Sequence, residues 1–194
     1  MRAFTLGVTL AIAFGAAPAM AQDSDSAKVS VTGQVAKLCV LGTPSSAVID
    51  LGQMANTSGA RVGKRAAIAN KSVTLPGSFC NFANSVVTVS ATALTADDAT
   101  AAQPGFARAV NFTATASNWA ATDAVATTSA DEQGAGADAS GSGSVQGLPK
   151  LADIGLTLSG YDVPGDKLLV SGGYTGSVTV TLAPEAAPAP VPVP

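Results

Sequence analysis

Polar and apolar residues alternate in short runs along most of this chain. Lys28-Val29-Ser30-Val31-Thr32-Gly33-Gln34-Val35 is the first such run, with the period of two that marks a half-buried strand. Ala47-Val48-Ile49-Asp50-Leu51-Gly52 is a second, shorter extended segment. Ser72 to Cys80 places Val73, Leu75 and Phe79 on one parity, and Pro76 interrupts it. A proline cannot donate to a ladder, so a bulge or break is expected there. Ser85 to Ala93 alternates again and is rich in β-branched residues, which favours a strand. Ala109 to Thr115, Ile154 to Ser159 and Gly173 to Leu182 complete a set of about seven strands, with Gly, Pro, Asn and Asp between them. No stretch repeats apolar residues at helical spacing between capping residues. The expected class is all-β, and a sandwich buries one face of each strand.

Three segments fall outside that pattern. Met1-Arg2 begins with a positive charge, Phe4 to Phe14 is apolar, and Ala16 to Ala21 is rich in small residues. Residues 1–21 therefore read as a cleaved secretory signal, because the apolar run is too short to cross roughly 30 Å of hydrocarbon. The mature protein is then expected to carry no integral membrane segment, with the sandwich over residues 22–183. Residues 131–147 are Gly-, Ser- and Ala-rich and read as a mobile surface loop. Residues 184–194, Pro-Glu-Ala-Ala-Pro-Ala-Pro-Val-Pro-Val-Pro, read as an extended tail outside the fold.

Composition narrows the chemistry. The 194 residues include no histidine, which removes Ser-His-Asp and Cys-His catalysis and His-ligated zinc. Ten basic against 13 acidic residues leave a formal charge of −3, and no basic footprint for nucleic acid exists. No cofactor and no enzymatic activity are expected. Cys39 and Cys80 are the only cysteines, and in an exported chain such a pair reads as a disulfide rather than two buried thiols. Arg61, Lys64 and Arg65 form a basic cluster that could meet an anionic glycan, although a solvated loop explains them more simply. Trp119 is either a sugar platform or a partly buried core residue, and burial is favoured. Asp97-Asp98 and Asp131-Glu132 lack calcium-loop spacing and read as turn residues.

In order along the chain, Gly33-Gln34-Val35 leads to Cys39, and Ile49-Asp50-Leu51-Gly52-Gln53 follows. Val73 to Cys80 and Val86-Val87-Thr88-Val89 come next, and Gly172-Gly173-Tyr174 opens a closing strand to Leu182. This constellation, from about Val29 to Leu182, resembles chaperone–usher pilin subunits, including their spore-coat-U-like branch. The resemblance implies an incomplete immunoglobulin-like sandwich completed by a neighbour's N-terminal strand, with Val29 and Val31 as strand-donor positions. It also implies identical or related subunits and a periplasmic chaperone as partners. The location is then the periplasm or the cell surface, in a fimbrium, and the role structural or adhesive. The residues leave a second function class open: a self-complete periplasmic or surface binding module, with carbohydrate as the candidate ligand.

Overall fold

The computed structural model describes residues 26–98 and 100–186. The expected signal segment, 1–21, and residues 187–194 of the expected tail lie outside these residues. Contacts divide the chain at Val35 into an N-terminal unit and a body from Ala36 onward. In the N-terminal unit, residues 26–35 form no regular secondary structure, and Val29, Val31 and Val35 are exposed. The expected first strand is therefore absent here. Its alternation is intact, but a single extended segment without a paired neighbour has no ladder to hold it.

The body is all-β, and no α-helix occurs among the described residues. Its strands are β1 (Cys39–Val40), β2 (Lys71–Cys80), β3 (Ser85–Ala96), β4 (Phe106–Ala107), β5 (Ala109–Ser117), β6 (Ala124–Thr127), β7 (Asp138–Ser142), β8 (Lys150–Asp162), β9 (Leu168–Leu169) and β10 (Tyr174–Pro184). The antiparallel path runs β1-β2-β8-β5-β3-β10, with β6 joined to β5 and β7 to β3. The sheet folds over at β5 and β3, which pair only at Leu94↔Val110 and Thr95↔Ala109. One layer thus holds β1, β2, β8, β5 and β6, and the other holds β10, β3 and β7. Leu75, Ile154, Phe112 and Ala114 from the first layer meet Val87, Val89 and Ala91 from the second. Ten of the buried positions on β3, β5, β6 and their flanks are alanine: 91, 93, 96, 107, 109, 114, 116, 124, 126 and 130. The core is accordingly made of small side chains closely packed, not of aromatic bulk.

Pro76 has the effect its chemistry requires. The β2–β8 register slips between Leu75 and Ser78, and Gly77 adopts a positive φ of 64°. The slip inverts the parity, so Ser78 and Cys80 are buried after the bulge and Phe79 is not. The buried Ser78 hydroxyl donates to the Leu75 carbonyl at 3.0 Å and accepts the Gly42 amide at 2.9 Å. Cys80 faces Cys39 across the β1–β2 pair, and the two are bonded, with Cα atoms 4.2 Å apart.

Residues 131–147 are more ordered than their composition indicates. Within them β7 pairs with β3 from Thr88↔Ser142 to Thr92↔Asp138. The reason is steric: a side chain at Gly141 would collide with the Val125 carbonyl on β6, so glycine allows β7 to lie close against that strand. The expectation of a surface loop is thereby corrected to a strand flanked by turns. At the other end β10 extends to Pro184, whose Cα partner is Ser85.

Candidate functional site

β10 lies at one end of the sheet path, and among the described residues it pairs with β3 alone. Its parities separate as alternation dictates. Ser177, Thr179 and Thr181 are exposed on the outer face, beside Thr92, Ser90 and Thr88 of β3. Val178, Val180 and Leu182 point inward but are only half-buried, whereas their β3 partners Val87 and Val89 are 2% and 0% exposed. Two adjacent strands with the same pattern therefore differ in how far they are covered. The cause is an opening next to β10.

That opening is a groove of about 610 Å³. Its floor is Val73 and Leu75 of β2, Leu156 and Leu158 of β8, Phe112 of β5 and Leu94 of β3. One wall is β10 from Tyr174 to Val180, and the other is the irregular segment containing Leu41, Pro44, Val48, Ile49 and Leu51. The second expected strand, 47–52, is thus a coil wall: the Asp50 carboxylate accepts the Gly52 amide at 2.8 Å, and Gly52 has a φ of 69°. The Tyr174 hydroxyl donates to the Val170 carbonyl at 2.8 Å and fixes the start of β10. Burial pushes that phenol above its ordinary range, with the pull of Arg108 in the opposite direction smaller. The groove is apolar, flanked by a strand edge, and contains no ionised side chain among its lining residues. Its polar side chains are the hydroxyls of Ser46, Tyr174, Thr175, Ser177 and Thr179.

The edge of β10 has a definite phase. The Gly143 amide donates to the Val87 carbonyl, so Val87, Val89 and Ala91 aim their main-chain groups at β7. Thr88, Ser90 and Thr92 consequently aim at β10, where they exchange bonds with Thr181, Thr179 and Ser177. The amides and carbonyls of Val178 and Val180 are left facing the side of the groove.

The other expected site residues are not assembled. Trp119 is 2% exposed, and its indole N–H donates to the Ser85 hydroxyl at 3.2 Å. The Lys150 ammonium covers the ring at 5.8 Å, so Trp119 is a core residue and not a sugar platform. In the basic cluster, Arg61 bonds Asp166 at 2.5 Å and Lys64 bonds it at 2.9 Å. Those bonds, first from Arg61 and then from Lys64, lower the Asp166 carboxyl from its ordinary 3.8 to about 2. Arg65 instead donates to the neighbouring Ala66 carbonyl. The cluster pins a loop to the 3₁₀ turn Pro164–Asp166 and does not converge on a ligand. Asp97 accepts from the Thr175 hydroxyl, and Asp131 from the Gln133 and Ala135 amides. No three His, Cys, Asp or Glu residues cluster among the described residues.

No family model, curated protein or solved structure matches this chain. No helix among the described residues is long and apolar enough to cross a membrane. The groove itself was not legible in the sequence. Its lining comes from β2, β3, β5, β8, β10 and a coil, and each contributes residues that read locally as ordinary core.

Proposed function

We propose that this chain is an exported structural or adhesive surface protein, pilin- or coat-subunit-like, that assembles by taking up a strand from a neighbouring copy or related subunit. The observation that carries this reading is the apolar groove beside the free edge of β10. A sheet edge with an open hydrophobic floor recruits an extended segment, whose main chain continues the ladder and whose alternate side chains fill the groove. The donor offered by this chain is Lys28 to Val35. Val29, Val31 and Val35 share one parity, and all three are more than 80% exposed. The disulfide fits an oxidising compartment and supports export. A periplasmic chaperone would cover the same groove before assembly. The rival reading as a carbohydrate module loses its best contact with the burial of Trp119.

The test is direct. A fluorescent peptide spanning Ser26 to Ala36 is titrated into mature protein from which residues 22–35 have been removed. Saturable binding is expected, and a peptide with Val29→Asp and Val31→Asp should not bind. If neither peptide binds, the groove is not a strand acceptor.

A further inference from the structure

We infer that the wall segment Ser46 to Gln53 is a strap that swings across the groove and pairs with the open edge of β10, so that the chain closes its own sheet until an incoming strand holds the strap back. Its role as a gate rests on the groove being a strand acceptor.

The strand directions prepare this closure. Each neighbouring pair along the path β1-β2-β8-β5-β3-β10 is antiparallel, so β1 and β10 run in opposite senses. Their Cα atoms already approach within 8 Å. The chain leaving β1 keeps its course along β2 as far as Ser45. There the Ser45 amide donates to the Thr74 carbonyl at 2.8 Å, and the Ser45 hydroxyl accepts the Thr74 amide at 3.1 Å. Ser45 and Thr74 continue the register that sets Cys39 opposite Cys80 and Val40 opposite Phe79. A strand prolonged in this sense meets β10 in the antiparallel arrangement used throughout the sheet.

From Ser46 to Gln53 the main chain makes no bond to the rest of the body among the described residues. Its bonds are local: the Ser46 hydroxyl donates to the Val48 carbonyl at 2.6 Å, and the Asp50 carboxylate accepts the Gly52 amide at 2.8 Å. The next anchor is Met54, whose carbonyl accepts the Ala66 amide at 2.8 Å. The segment is thus suspended between two fixed points. Within it Ala47, Ile49 and Leu51 share a parity and line the groove, and Asp50 on the other parity is exposed. That is the alternation of a strand without its ladder. β10 supplies the ladder, because Val178 and Val180 turn both their main-chain groups and their side chains to the groove. Directly opposed residues share a face, so pairing these two with residues of the Ala47 parity sets all their side chains over the apolar floor.

A turn at the end of the strap holds it off β10. Gly52 has a φ of 69° and its amide is bound by Asp50, so the chain bends just after Leu51. A side chain at Gly52 would meet nothing within 4 Å, and a substitution there acts through backbone conformation alone. A residue with a Cβ resists that φ, and loss of the Asp50 carboxylate removes the bond that stabilises the bend. Asp50 and Gly52 therefore set the balance between wall and strand, as hinge positions do. Closure brings the strap to a strand spacing, about 4.8 Å, from β10. It takes away the free edge and the floor that an incoming strand needs, so the two compete.

The experiment follows amide hydrogen exchange at Val178 and Val180 in the mature chain carrying Val29→Asp and Val31→Asp, which disarm the N-terminal donor, in the monomer fraction from size exclusion. Ile49→Pro with Leu51→Pro, added to that chain, deletes the N–H groups with which the strap pairs and should accelerate exchange by about tenfold. Val48→Pro, whose N–H lies on the opposite edge, should leave it unchanged. Asp50→Ala with Gly52→Val favours the extended strap and should slow exchange by about tenfold, so a change in either direction is readable even if one variant folds poorly. The Ser26–Ala36 peptide should bind the double-proline chain about tenfold more tightly, and the Asp50→Ala, Gly52→Val chain about tenfold more weakly, than their parent. Equal exchange in all four proteins overturns the strap as a closing strand, and equal peptide binding to all of them then leaves the strand-acceptor reading standing. No peptide binding to any of them overturns the acceptor reading, and the gate with it, even where exchange shows the strap paired. Protection that grows with protein concentration overturns the own-chain closure, because the occupant is then a second copy.

Discussion

Val180 and Thr179 are neighbours on β10, and their side chains meet different surroundings. Val180 lies half-buried in the groove wall, and Thr179 is exposed on the outer face. Val180→Asp puts a carboxylate against apolar side chains, at a cost of roughly 1–3 kcal/mol. It should lower the melting temperature and prevent peptide uptake. Thr179→Asp should stay within about 0.5 kcal/mol of wild type, as surface changes do. Thermal melts of the two variants check the assignment, and equal losses would mean that the parity is wrong. Asp166 provides a pH-dependent contact of the same scale. Its carboxyl is held at about 2, below the ordinary 3.8, by Arg61 first and Lys64 second. The folded state therefore holds the proton less readily than the unfolded chain. The stabilising contribution is complete above about pH 4 and is lost as the pH falls toward 2. Because the pair is exposed, the effect is small and weakens with salt. Asp166→Asn should melt slightly below wild type at pH 6, and the two curves should converge near pH 2.

At the scale of elements, five of the seven strands expected from alternation are present with nearly the expected bounds. β2, β3, β5 and β8 bury one parity and β10 half-buries one, and that inward parity is what a period of two encodes. β6 and β7 were not legible because β6 is only four residues long and β7 is short and poor in apolar residues. β6 reads Ala-Val-Ala-Thr, and β7 reads Asp-Ala-Ser-Gly-Ser. What makes β7 a strand is pairing with β3 and a close approach to β6, neither of which is local. Gly141→Val should therefore separate β7 from its neighbours through the clash with the Val125 carbonyl. A loss of about 2 kcal/mol is expected, within the usual range for overpacking. Ser140→Ala, on the exposed parity of the same strand, should be neutral. Urea unfolding of both variants is the check; equal stability would contradict the packing of β7 on β6.

Across the whole molecule, the disulfide links the start of the body to the end of β2. It closes a loop of 41 positions that contains the coil wall of the groove, residues 41–51. The chain-entropy model gives such a cross-link about 4 kcal/mol. Replacing both Cys39 and Cys80 by serine should therefore cost roughly that amount in chemical denaturation. It should also weaken uptake of the Ser26–Ala36 peptide in the fraction that remains folded, because the wall is no longer tied to β2. Unchanged uptake would show that the wall is held by its own contacts, such as the Ser45 amide to the Thr74 carbonyl at 2.8 Å.

By itself the sequence determined the all-β class, the longer strands with their buried parity and the bulge at Pro76, since each follows from a side chain and its near neighbours. The cysteine pairing was also within its reach, because only one pair can form. Tertiary structure decided the rest. It set Trp119 in the core under Lys150, engaged Arg61 and Lys64 with a carboxylate about a hundred positions away, and made a strand of β7. Above all it left Val178 and Val180 half-covered although their alternation matches that of the fully buried β3. Alternation reports which face of a strand turns inward. Whether another layer closes over that face depends on segments far apart in the chain, and here β10 has a strand on one side and an open groove on the other.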